Sequence, residues 1–262
     1  MVYPEYTLNP PENNRILLVT DIHNCHVEWY DTKNEDRMEL LCKTLQESHE
    51  KQPYDAILCL GDYSLDFWVW DICGSYLWDP PVSRTKEFVE KYRCRFPAPS
   101  FMIPGNHEQY GNDTWKEITG TPREFAVVYG DYVFAMCDTF AGDLDPKEHS
   151  DGTYTGLNVA FLQEVLANHP DKKIMICAHD IYADRESEEA KALIRSNSNI
   201  LCAFAGHIHQ SITLLLDESW GKLPVIYCGD FSYQGKAISD KPHWGYRILN
   251  LGDRITTDYI CC

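Results

Sequence analysis

Apolar residues come along this chain in short runs closed by polar residues, and between the runs lie stretches with helical spacing. The clearest apolar runs cover residues 15–23 (RILLVTDIH), 56–62 (AILCLGD), 100–108 (SFMIPGNHE), 173–180 (KIMICAHD) and 200–209 (ILCAFAGHIH). Their length and β-branched content predict strands. Apolar positions three and four apart predict helices over 35–50, 83–94, 157–168 and 187–196. Residues 125–128 and 132–137 flank Gly130-Asp131, a hairpin signal, while 225–228, 246–251 and 255–260 read as strands without intervening helices. Alternating strands and helices followed by consecutive strands predict an α/β architecture of two packed sheets with helices outside. With no repeat or linker in view, the prediction is a single domain over 1–262, with 63–99 a candidate lid or cap insertion.

Five of the predicted strands end in polar groups of one kind. They are Asp21-Ile22-His23, Gly61-Asp62, Gly105-Asn106-His107-Glu108, His179 and Gly206-His207-Ile208-His209. In layered α/β folds sites form outside the carboxyl ends of strands, so groups distant in sequence meet there. In Asp-x-His and His-x-His, residues two apart share a face if strand geometry persists, so both can aim at one ion. Asp, Asn and His offer oxygen and imidazole donors without thiolate, which suits Mn²⁺, Fe²⁺ or Zn²⁺ better than a structural zinc. Seven such donors exceed one ion's needs, whereas two ions sharing Asp62 would use them. Glycines 61, 105 and 206 are expected to let each strand turn sharply into its loop.

The ordered blocks DxH, GD, GNH[DE], H and GHxH resemble those of the calcineurin-like metallophosphoesterases, and all five stand here between Asp21 and His209. The resemblance implies a four-layer αββα sandwich of two mixed β-sheets carrying two divalent metal ions. It implies one ion on Asp21, His23 and His209 with Asp62 bridging, and another on Asp62, Asn106, His179 and His207. His107 would donate a proton or hydrogen bond to the transferring phosphoryl group, oriented by Glu108. A hydroxide held between the ions would attack phosphorus in line with the leaving group. Purple acid phosphatases carry a tyrosine three residues after the GD aspartate, where this chain has Leu65, and lack the histidine present here as His23. Two divalent ions are therefore expected, not a tyrosinate-bound Fe³⁺.

Charge narrows the substrate. Forty acids against 23 bases give a formal charge of −17, which argues against a protein that grips nucleic acid or a membrane through a basic surface. Two divalent ions would still make the pocket attractive to a small phosphate ester, monoester or diester. A cyclic-nucleotide phosphodiesterase and a nucleotide pyrophosphatase are alternatives on the same site, and a non-catalytic scaffold that binds protein is the alternative of another class. His26, Tyr63, Trp68 and Trp70 are candidate substrate contacts, the last two in a Trp-rich stretch at 67–78. The first 14 residues hold three prolines, two glutamates and no Lys or Arg, unlike a signal peptide, so a cytoplasmic location is expected. Eleven cysteines without CxxC spacing predict reduced, mostly buried thiols, and Cys261-Cys262 a solvated tail.

Overall fold

The computed structural model describes residues 2–8, 12–67, 83–142, 151–234, 239–252 and 254–262. In chain order the elements are β1 (Glu5–Thr7), β2 (Arg15–Val19), α1 (Asn34–Lys51), β3 (Ala56–Cys59), α2 (Arg84–Glu87), β4 (Ser100–Met102), α3 (Asn112–Thr119), β5 (Phe125–Tyr129) and β6 (Tyr132–Met136). There follow α4 (Val159–Asn168), β7 (Lys173–Cys177), α5 (Glu188–Ser196), β8 (Ile200–Ala205), β9 (Thr213–Leu215), β10 (Pro224–Tyr227), β11 (Gly245–Leu251) and β12 (Ile255–Cys261). Ser187 and Asn158 side chains accept from the third residue onward and start α5 and α4.

The strands form two mixed sheets. One has seven strands in the order β1-β5-β6-β7-β8-β10-β9, the other five in the order β12-β11-β2-β3-β4. Strand alternation explains how they stack. Ile16 and Leu18 of β2 join Phe134 and Met136 of β6 and Met175 and Cys177 of β7 in a cluster between the sheets. Leu17 and Val19 face the other way, onto Met38, Leu41 and Leu45 of α1. Val133, Ala135, Ile174 and Ile176 pack on Phe161, Leu162 and Val165 of α4 and on Ile194 of α5. Helix, sheet, sheet and helix therefore lie in four layers, as expected.

The structure corrects the sequence expectations at several points. The stretch at 83–94 is not one helix: α2 runs into a single π-helical turn at Phe88–Tyr92 and a 3-10 turn at Arg93–Arg95. There the Arg93 guanidinium satisfies the carbonyls of Ser100 and Thr119, a tertiary pull absent from periodicity. β1, α3 and β9 were not foreseen. Of the candidate lid at 63–99, only 63–67 and 83–99 are described, and Trp68, Trp70 and Trp78 lie outside the described residues. All ten described cysteines are free and seven are buried; Cys261 ends β12, with Cys262 beside it, both exposed. Among the described residues no helix is long and apolar enough to cross a membrane.

Candidate metal centre

The strands stop short of their polar blocks: β2 ends at Val19, β3 at Cys59, β4 at Met102, β7 at Cys177 and β8 at Ala205. Strand geometry does not carry Asp21 and His23, or His207 and His209, onto one face. Instead Asp21, His23, Asp62, His207 and His209 adopt left-handed φ values of 52°, 47°, 56°, 67° and 55°. Such backbone is unfavourable for residues with a Cβ and persists only where the surroundings over-determine it. Here the surroundings are the blocks themselves, hydrogen-bonded to one another: Ile22 and His23 N–H donate to the Asp62 carbonyl, and Gly206 N–H donates to that of His179.

All seven expected ligand residues converge. On one side His209 Nε2 lies 3.2 Å from Asp21 Oδ1, and His23 Nε2 lies 3.9 Å from the same oxygen. On the other His179 Nε2 lies 3.2 Å from Asp62 Oδ2, and Asn106 Oδ1 is 3.0 Å from both His179 Nε2 and His207 Nδ1. Asp62 sits between them, with His23 Nε2 3.6 Å from its Oδ2. Three overlapping groups, Asp21-His23-His209, His23-Asp62-His107 and Asp62-His179-His207, each bring their donor atoms within 4.8 Å of one another.

The donor set fits cations. Both ring nitrogens of His23 are buried without a hydrogen-bond partner among the described residues, a costly state for an imidazole unless its lone pair serves a cation. Burial holds His23 well below its usual pKa, with Asp62 opposing, and lowers His207 as well. Both imidazoles are thus neutral, the form that binds metal. For His179 and His209 burial acts in the same direction, but the carboxylates of Asp62 and Asp21 override it. Their pKa values rise to about 10 and about 9.

An outer layer holds these groups in place. Thr20 Oγ1 and the His207 N–H each donate at 2.8 Å to Asp21 Oδ2. His179 Nδ1 donates to the Leu60 carbonyl at 2.8 Å, and His209 Nδ1 to that of Tyr233. Arg37 of α1, fully buried, donates to the carbonyls of Ile22, His23 and Phe231 and so clamps the DxH loop onto the helix. Glu108 accepts from the N–H groups of Gly105, Asp62, Tyr63 and Ser64 at 2.8–3.1 Å. Its carboxylate thereby anchors the Asp62 loop, a positioning role different from the expected orientation of His107. His107 Nε2 lies 3.8 Å from Asp62 Oδ2 and 4.0 Å from Asp151 Oδ1.

A cleft of about 470 Å³ opens onto Asp62, Asn106, His107, His207 and His209. Two candidate substrate contacts are not there. Tyr63 is buried, its hydroxyl within hydrogen-bond distance of the carbonyls of Cys59 and Ile103 and its ring stacked on Phe88. His26 is exposed and outside the lining, because Cys25 and Val27 on either side pack inward on Leu65. Sequence reasoning missed Tyr154, Tyr182, Arg185 and Tyr233, which also line the cleft. The Tyr182 hydroxyl shares a 2.8 Å hydrogen bond with His207 Nε2. Its place three residues after His179 was the one available signal.

No curated protein matches the chain. By structure it is similar to a dimetal phosphatase from Danio rerio at 12% identity and a TM-score of 0.66, over 95% of this chain and 96% of that one. It is also similar to GAP50, described as the anchor in the inner membrane complex of Plasmodium, at 15% identity and a TM-score of 0.56, over 94% of this chain and 84% of that one. A 5'-nucleotidase from Candida albicans aligns at 14% identity and a TM-score of 0.53, over 99% of this chain but 53% of its own. At these identities the likeness is one of fold. The family model for calcineurin-like phosphoesterases matches residues 14–211, the span that holds every block of the site, and the chain belongs to that family.

Proposed function

We propose that the protein is a dinuclear metal-dependent hydrolase of small organic phosphate esters. The observation that carries this reading is His23. A fully buried imidazole whose two nitrogens have no hydrogen-bond partner among the described residues, facing Asp21 and Asp62, needs a cation to be stable there. Asp21, His23 and His209 would hold one ion, and Asn106, His179 and His207 the other, with Asp62 between. Two divalent ions held there would supply a water pKa lowered from 15.7 toward ~7 and would neutralise charge on phosphoryl oxygens. As ligands His179 and His209 would be neutral imidazoles, so holding the ions would require them to give up their protons. His107 faces the cleft beside Asp62 without belonging to either expected ion. It is placed to hydrogen-bond the transferring group and protonate the leaving oxygen. The Plasmodium relative is described as an anchor; against a non-catalytic role here stands the completeness of the ligand set together with His107.

The test begins with chelated protein and adds Mn²⁺, Fe²⁺ or Zn²⁺. About two ions per chain are expected, with hydrolysis of an aryl phosphomonoester, a bis-aryl diester or both. Asp62→Ala loses metal, whereas His107→Ala keeps it while kcat falls by about 10²–10⁴. Full activity of metal-replete His107→Ala removes the acid role. No stoichiometric metal and no hydrolysis of either ester removes the whole reading.

A further inference from the structure

Arg185 is the one Lys or Arg among the described residues that line the cleft. It lies in the loop between β7 and α5, and its guanidinium carbon stands 4.6 Å from the centroid of the Tyr182 ring. That ring is itself fixed. The Tyr182 hydroxyl is bonded to His207 Nε2, and its N–H donates to the Tyr154 hydroxyl at 3.1 Å. The Tyr182 carbonyl accepts from Arg185 and Glu186 N–H. Glu186 in turn binds the Tyr154 hydroxyl and the Leu157 N–H, tying this loop to the one at 154–157.

Arg185 is exposed, yet no described carboxylate forms an ion pair with it. An exposed arginine ordinarily spends many rotamers, and stacking on an anchored ring removes much of that freedom before any ligand arrives. Its donors are therefore preorganised and unspent, one tyrosine ring away from His207 and the ligand cluster. Apart from the histidines, the other charged side chains among the described residues of the cleft are Asp62, committed to the ligand cluster, and Asp151 near His107. An anion that extends from the cluster toward Tyr182 thus meets a single fixed cation suited to phosphate by its planar fork.

We propose that Arg185 is a specificity-determining residue that binds a second phosphoryl group, so that the preferred substrates are organic diphosphates and not simple monoesters. The inference rests on the phosphoesterase reading, because it takes the first phosphoryl group to lie at the Asp62 cluster. The experiment titrates metal-replete protein by calorimetry with a nonhydrolysable α,β-methylene nucleoside diphosphate and with the matching monophosphate. The parent protein is expected to prefer the diphosphate. Arg185→Ala is expected to shrink that preference by about 10- to 100-fold, the range of a charge-assisted contact. Arg185→Lys is expected to keep part of it, through charge without the stacked fork. No preference in the parent, or equal weakening of both ligands in Arg185→Ala, overturns the inference. Aryl phosphate hydrolysis, measured on the same samples, reports separately on the parent reading: a chain that binds the diphosphate through Arg185 but hydrolyses nothing refutes the enzyme and not the subsite.

Discussion

Glu124 shows what burial does to a carboxyl group that lacks a cation. Its Oε2 accepts from Asn158 Nδ2 at 2.7 Å, while Oε1 has no partner among the described residues. Burial, helped by the charge of Asp138 and opposed by Asn158, pushes its pKa up to about 8 from an ordinary 4.5. Between those values the native state holds a proton that the unfolded chain has lost, so this group's contribution falls as pH rises through the window. Glu124→Gln is therefore expected to raise Tm more at pH 8.5 than at pH 5, read against the parent by thermal unfolding at both. An equal shift at the two pH values would refute the burial effect. Neither Glu124 nor Tyr182 announces itself in the sequence, because each depends on a distant partner, Asn158 or His207. Asp21, His23, Asp62, Asn106, His107, His179, His207 and His209 were legible, since residue type and block order together point to one chemistry. Tyr63 shows the limit of adjacency: next to Asp62 in sequence, it turns into the core, where its hydroxyl meets the carbonyls of Cys59 and Ile103 and its ring stacks on Phe88.

Segments meet at the site more closely than any single run reveals. A Cβ on Gly206 would lie 2.0 Å from Thr20 Oγ1 and 2.5 Å from Asp21 Oδ2, and one on Gly105 would lie 2.1 Å from Asp62 Oδ1. Neither glycine has left-handed φ, so close approach between loops, and not a sharp turn, is what requires them. Gly206→Ala and Gly105→Ala are expected to keep the far-ultraviolet circular dichroism of the parent. Displacing a ligand carboxylate should weaken metal binding by about 10- to 100-fold, the usual effect of disturbing a ligand's supports. Gly252→Ala, whose Cβ would meet nothing within 4 Å, is the control; unchanged metal affinity in all three variants would refute the packing argument. Element prediction succeeded where a run was apolar and bounded, as at β2, β3, β7 and β8. It missed β1 and β9, each three residues long, because β1 follows Pro4 and β9 is exposed throughout, which leaves no alternation to read. β2, β3 and β8 also end earlier than their sequence runs, since left-handed residues follow each of them at the site.

At the scale of the molecule, the ligand cluster joins two sheets that otherwise meet through apolar side chains. Asp21, His23, Asp62 and Asn106 follow β2, β3 and β4 of the five-stranded sheet, whereas His179, His207 and His209 follow β7 and β8 of the seven-stranded one. Which strands share a sheet could not be read from the sequence. β11 and β12 are last in the chain, yet β11 returns to pair with β2, with β12 on its outer edge, a long-range choice that local pattern does not encode. Since the donors come together only when both sheets are folded and stacked, cations held by this cluster would bind the native state and not the unfolded chain. Such binding adds about 2.7 kcal/mol at a hundredfold excess over Kd. For a chain of this size each kcal/mol moves Tm by roughly 2–4 °C. Titrating chelated protein with Mn²⁺ should therefore raise Tm by roughly 5–10 °C at that excess. Asp62→Asn, which weakens the ligand shared by the two sides, should lose most of the shift. A bound-metal stoichiometry near two with no change in Tm would mean that the ions sit elsewhere, on a surface that unfolding does not disperse.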